Sequence, residues 1–298
     1  MKRILFVGAS GYGNVGDDAY VMLYRRNLGG HKIMVCNSDL PSALPDCDLV
    51  IIGGGGLLHV AHEHLDKMTW YLRQAETRGI PYGFSSVGFQ YDPRVLGVSW
   101  QTEKVAVWQP WLAKAKFITV RSPKDREKME SFGAVSEYFP DLCYLMRDLI
   151  PSDLVCDPKR LVLIPGAGVF RYDANATSMP ALQEACIQRF VAGWQLVGGN
   201  LQVVRMGAPV DTVIHLKRLR ALYKNVPVYE AGDPKECLRL IAGAGQVLSG
   251  RYHGMLFARC AGVPCWTAPL APWKIMSEDA HVDPGAAVGH LETIRKHL

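Results

Sequence analysis

The sequence has no apolar run of about 20 residues, the length a membrane-spanning helix needs. It opens Met1-Lys2-Arg3-Ile4-Leu5-Phe6-Val7-Gly8, an apolar run too short for a secretory signal and closed at once by glycine. No Cys-x-x-Cys spacing occurs among the eight cysteines, which sit in apolar or helical surroundings. That favours free buried thiols in a reducing compartment over disulfides or a zinc site. These features together give the expectation of a cytoplasmic protein, one able to work at a membrane surface. No basic run with interleaved aromatics is present, so a nucleic-acid face is excluded. The net charge of +5 is spread along the chain and suits an anionic small substrate or an anionic surface. There is also no internal repeat and no low-complexity tract.

What is present reads as two α/β domains. At 298 residues the chain fits two domains of roughly 150 residues each. Residues 4–8 form a short apolar strand, followed by the glycine loop Gly8 to Gly16 and a helix predicted over Ala19–Asn27, with Asp17 or Asp18 as its cap. The loop contains Gly11-x-Gly13-x-x-Gly16. No acidic residue ends the second strand, Lys32–Cys36, so a dinucleotide site is disfavoured. A strand at 48–52 runs into Gly53-Gly54-Gly55-Gly56, read as a ligand-facing loop because open α/β sheets bind ligands at strand ends. His59, His62 and His64 follow, and solvated or acceptor-facing histidines are the reading preferred to a metal site.

Further strands and helices alternate along the first half. Helix Lys67–Arg78 leads to a strand over 80–88. A Trp-rich helical pattern over 100–115 carries Trp100, Trp108 and Trp111, read first as packing residues and second as a sugar platform. The strand Phe117 to Ser122 places Arg121 at its end, with Ser122 and Pro123 opening a helix over 124–132. Arg121 reads as an anion ligand or as one half of a salt bridge on the sheet rim. A linker over 148–160 precedes the second half.

There, strands are predicted at 160–164, 201–206, 226–229, 246–249 and 264–268, and helices at 180–197, 211–223, 233–243, 255–261 and 286–297. The fold class is therefore α/β, two doubly wound Rossmann-like domains facing a cleft: residues 1–150 and 151–298. The C-terminal helix is a candidate to pack back on the first domain. The most informative stretch is Ser249-Gly250-Arg251-Tyr252-His253-Gly254, where a strand feeds a helix. Helix N-termini attract anions, Arg251 adds a fixed cationic fork, and histidine is the side chain suited to proton transfer near neutral pH. The plainer alternative is Arg251 paired with a carboxylate and His253 capping the helix.

The chain resembles the polysaccharide pyruvyl transferase family. The resemblance lies in Gly13-Asn14-x-Gly16-Asp17, Asp48 to Gly55, Val120-Arg121-Ser122, Pro140-Asp141-Leu142, and Arg251-Tyr252-His253 followed by Ala258 and Gly262-Val263-Pro264, with Lys274 further on. It implies a GT-B-like fold, with residues 1–150 on the acceptor side and 151–298 on the donor side, and transfer of pyruvate from phosphoenolpyruvate onto two hydroxyls of a saccharide as a ketal, in polysaccharide or envelope glycan synthesis. In that frame His253 is the candidate acid, and Arg251 and Arg121 hold the donor's anionic groups. Helix amides over 254–257, Gly254 among them, would receive the phosphate. Asn14, Asp17, Gly53, Gly54, Gly55, Gly56 and Lys274 complete the expected substrate contacts. Asp17 could instead act only as a helix cap. No cofactor and no metal are implied, phosphoenolpyruvate being a donor substrate. The expected partner is a saccharide acceptor, lipid-linked or free, with peripheral membrane association compatible and no nucleic acid. The chain departs from the family after Val87, where Gly88-Phe89-Gln90-Tyr91-Asp92 replaces a Gly-Pro turn. Two other readings stay open: a GT-B-like glycosyltransferase using a nucleotide sugar, and a non-catalytic saccharide- or phosphate-binding relative.

Overall fold

The computed structural model describes residues 1–36, 41, 43–58, 62–89, 106–166, 178–206, 226–230, 232–267 and 282–298, without side-chain detail at 62–64 and 178–184. It divides into two compact units. The first comprises Met1–Tyr12, Tyr20–Leu142 and Met276–Leu298; the second comprises Gly13–Ala19 and Cys143–Ile275.

The first unit holds β1 (Arg3–Val7), most of α1 (Val15–Asn27), β2 (Lys32–Cys36), β3 (Leu49–Leu58), α2 (His62–Thr77) and β4 (Tyr82–Phe89). A 3₁₀ turn, Ala106–Trp108, leads into the short α3 (Gln109–Leu112), then β5 (Ile118–Val120), α4 (Pro123–Ser131) and β6 (Glu137–Tyr138). Its six strands are all parallel, in the order β2-β1-β3-β4-β5-β6. Parallel strands are covered on both faces, which is why β1, β3 and β4 read as continuous apolar runs and not as alternating ones. Val50, Ile52, Phe84, Val87 and Trp108 share one core. Trp108 is fully buried and meets Phe84 edge to face at 6.3 Å, and Trp111 packs partly buried against the same core. Both therefore act as packing residues; Trp100 lies outside the described residues.

The second unit holds β7 (Asp157–Ile164), α5 (Ser178–Leu196), β8 (Asn200–Arg205), β9 (Val228–Glu230), α6 (Pro234–Ala242), β10 (Ala244–Ser249), α7 (Tyr252–Cys260) and β11 (Cys265–Thr267). A 3₁₀ helix, Leu142–Leu149, precedes β7. The five strands are parallel in the order β11-β10-β7-β8-β9. Leu161, Leu163, Val203, Leu248 and Val191 form its core. The helix expected over 211–223 lies outside the described residues. The chain ends in a 3₁₀ turn, Pro284–Val288, and α8 (Gly289–Lys296), which packs in the first unit, where Arg295 donates to the carbonyl of Asn27 at 2.8 Å.

Each strand order reverses direction once. In the first unit the reversal falls between β1 and β3; in the second it falls between β7 and β10. Ligands of open α/β sheets bind beyond the strand ends at such switch points. The second switch point carries Ser249 to Gly254.

Two local differences from the sequence reading bear on the site. Helix α1 begins at Val15, four residues before the predicted start, because Asn14 supplies the cap: its Oδ1 accepts from the Gly16 amide at 3.2 Å. Asp17 and Asp18 thus lie in the first turn, where negative charge favours the helix dipole. Strand β3 also runs on through the glycines to Leu58, so residues 53–56 are strand and not loop.

Candidate active site

At the second switch point, Gly250 leaves β10 with its amide on the carbonyl of Ile164 at 2.8 Å. The Ser249 hydroxyl then closes the turn, accepting from the Arg251 amide at 3.1 Å and donating to the Arg251 carbonyl at 2.8 Å. Arg251 adopts extended backbone and is the N-cap residue of α7. Its Nε donates to the carbonyl of Pro165 at 3.2 Å, so the guanidinium is laid across the end of β7. His253 therefore does not cap the helix. The helical ladder begins with the Met255 amide on the Arg251 carbonyl at 3.2 Å. The first-turn amides are those of Tyr252, His253 and Gly254, and the expected amide set at 254–257 moves one turn back. Gly254 packs on Ser249 and Ile164, leaving no room for a larger residue.

The start of α1 joins this site. The Val15 amide donates to the carbonyl of Met206, just past β8, at 2.9 Å. Asn14 Nδ2 donates to Asp17 Oδ2 at 2.5 Å, which orients the Asp17 carboxylate. The His253 imidazole lies against Gly16: a Cβ added there would overlap its Cγ, Nδ1 and Cβ. The Tyr252 ring flanks His253 at 5.4 Å and 74°. The structure thus brings together Asn14, Asp17, Arg251, His253 and Gly254, residues from distant parts of the chain. Gly16, the residue that permits the approach, carried only a motif signal in the sequence.

In the first unit Arg121 follows β5, its amide on the carbonyl of Val87 at 3.2 Å. Its Nη1 stands 3.4 Å from Asp141 Oδ2, and the Tyr20 hydroxyl donates to the same oxygen at 2.6 Å. The two charged side chains are only 6% and 0% exposed, so the pair is buried, not a rim salt bridge. Asp125 lies beside it, accepting from the Ser122 hydroxyl at 2.6 Å and the Phe89 amide at 2.8 Å. Burial raises the Asp125 pKa, opposed mainly by the charge of Arg121. Ser122 caps α4 as the sequence predicts, accepting from the Asp125 amide at 3.1 Å.

His290, on α8, braces the same region and was not singled out in the sequence, where an isolated histidine on a terminal helix carries no pattern. Its Nε2 is 2.9 Å from the Pro140 carbonyl and its Nδ1 is 2.7 Å from Thr119 Oγ1. A carbonyl only accepts, so Nε2 carries the proton and Nδ1 accepts from the threonine. Thr119 Oγ1 in turn accepts from the amide of Ser86 at 3.1 Å. Ser86 is buried with φ 53°, a strained conformation for a residue with a side chain, and its Oγ accepts from the Leu142 amide at 3.1 Å. Burial lowers the pKa of His290 to about 4.

The four glycines of β3 differ in setting. A Cβ at Gly53 would stand 2.9 Å from the Ser85 carbonyl, and one at Gly54 would overlap the Tyr20 ring. Close packing accounts for glycine at both positions. Gly54 and Gly55 have φ of 74° and 93°, and Gly56 alone of the four is partly exposed. Lys274 and His59 lie outside the described residues, as do the side chains of His62 and His64. Among the described residues no three His, Cys, Asp or Glu side chains group as metal ligands, and no helix is long and apolar enough to cross a membrane.

The two parallel sheets and their strand orders define an α/β protein built from two Rossmann-like units. A model of the polysaccharide pyruvyl transferase family matches residues 7–267, and the chain belongs to that family. No curated protein matches it by sequence. Among solved structures it is similar to the UDP-GlcNAc 2-epimerase of Methanocaldococcus jannaschii, with a TM-score of 0.58 and 10% identity over 98% of this chain and 92% of that one. It is also similar to MnaA of S. aureus, solved with UDP, with a TM-score of 0.58 and 11% identity over 99% of this chain and 88% of the other. Likeness at that identity shows the fold, which is of the GT-B type.

Proposed function

We propose that the protein transfers pyruvate from phosphoenolpyruvate onto two hydroxyls of a saccharide, forming a ketal and releasing phosphate in polysaccharide synthesis. The observation that carries the reading is the seating of His253 on Gly16 beside Arg251 at the second switch point. There an imidazole and a guanidinium are held by the two motifs that identify the family.

His253 protonates the methylene carbon of the donor, leaving positive charge on the neighbouring carbon. A first sugar hydroxyl adds to that carbon and gives up its proton, with Asp17 as acceptor. The C–O bond to phosphate breaks, and the second hydroxyl closes the ketal, its proton leaving with phosphate. Arg251 holds the donor's anionic groups through charge-assisted hydrogen bonds, and Arg121, buried against Asp141, braces the first unit. The Gly254 amide and the helix dipole favour the departing phosphate. Asn14 orients Asp17, and Gly55, Gly56 and Lys274 are assigned to substrate contact, Gly53 and Gly54 being accounted for by packing.

Thermal-shift titration tests the donor. Phosphoenolpyruvate at millimolar concentration should raise the melting temperature, while UDP-hexoses should not. Stabilisation by a nucleotide diphosphate alone would turn the reading to a nucleotide-sugar glycosyltransferase.

A further inference from the structure

The first unit carries a second, differently built feature at its own switch point, between β1 and β3. The loop leaving β1 holds Tyr12 between Gly11 and Gly13, whose φ values of 83° and 76° turn the chain sharply on either side of it. The Tyr12 side of this loop belongs to the first unit. Tyr12 is 46% exposed, a large aromatic surface to leave in water. It is also held. Lys67, on α2, donates to its hydroxyl at 2.9 Å, with the ammonium 5.4 Å from the ring centroid.

An aromatic ring fixed in orientation on this loop and an ammonium held beside it from α2 suit a polyhydroxylated ring. Sugar C–H faces stack on aromatic rings, and sugar hydroxyls take the polar contacts. Fixing the ring beforehand lowers the ordering cost of binding. We propose that Tyr12 and Lys67 form a saccharide subsite of the first unit. The assignment rests on the reading that the acceptor is a saccharide, and it does not depend on the donor.

The test uses the full chain, methyl glycosides of common hexoses and N-acetylhexosamines as probes, and saturation-transfer NMR without donor. Wild type should give transfer to sugar ring protons. Tyr12→Ala should weaken that binding about tenfold, the fold-change of 1.4 kcal/mol, and Lys67→Met should weaken it several-fold. Tyr12→Phe should retain most of it, because the ring remains. With phosphoenolpyruvate present, the same variants should raise the acceptor KM and leave the donor KM unchanged. Tyr12 is exposed, so its variants should fold, which circular dichroism checks. Unaltered saccharide binding in Tyr12→Ala, or no binding of any probe to wild type, overturns the subsite. Saccharide binding that depends on Tyr12 in a protein that does not consume phosphoenolpyruvate would keep the subsite and remove the proposed donor.

Discussion

At the scale of single residues, the candidate site turns on an atom that glycine lacks. Gly16 has no Cβ, and the His253 ring occupies that space. Gly16→Ala should displace the imidazole. A misplacement of about 1 Å typically costs about 100-fold in rate, so turnover should fall by that order while circular dichroism remains native; wild-type turnover would detach Gly16 from the site. His290 gives a pH prediction whose sign follows from its depressed pKa. The folded chain keeps the ring neutral down to about 4, whereas the unfolded chain protonates it near 6.5. The unfolded state binds more protons between those values, so stability is full above pH 6.5 and falls as pH drops toward 4, by about 1.4 kcal/mol per unit from this group. Urea unfolding across that range should show a steeper loss in wild type than in His290→Gln. Equal slopes would contradict the burial argument. Arg251 and His253 were legible as chemical types from their place at a strand–helix junction. Their partner Gly16 was not, nor was the Asp141–Tyr20 pairing behind Arg121, because such contacts join distant segments and leave no local pattern.

At the scale of elements, most strands and helices follow from apolar runs and caps, and the errors have physical causes. The glycines of β3 read as loop because glycine is a poor strand former on its own. They remain in the strand because Tyr20 and the Ser85 carbonyl fill the space above them. Gly54→Ala should therefore destabilise the fold by about 1–3 kcal/mol, combining overpacking against Tyr20 with a positive φ. A shifted urea midpoint with unchanged slope would report it, and an unaltered midpoint would return these glycines to a purely ligand-facing role. Helix α1 starts earlier than the sequence suggests, where Asp17 and Asp18 both look like caps. Asn14 won because its side chain satisfies the Gly16 amide and the Asp17 carboxylate together.

At the scale of the whole molecule, alternation of strands and helices announced two doubly wound sheets, and the structure has two. Their strand orders could not be read from periodicity, because crossover connections do not fix which neighbour a strand chooses. Nor could the allegiance of Gly13–Ala19, which lies early in the chain yet belongs to the compact unit that carries His253. That allegiance is what joins the two family motifs into one candidate site. The most direct test measures inorganic phosphate released from phosphoenolpyruvate in the presence of a saccharide acceptor, for wild type and His253→Gln side by side. Acceptor-dependent release by wild type, lost in a folded His253→Gln protein, is the predicted result. Undiminished release by His253→Gln, or none by wild type with any saccharide at millimolar phosphoenolpyruvate, would contradict it.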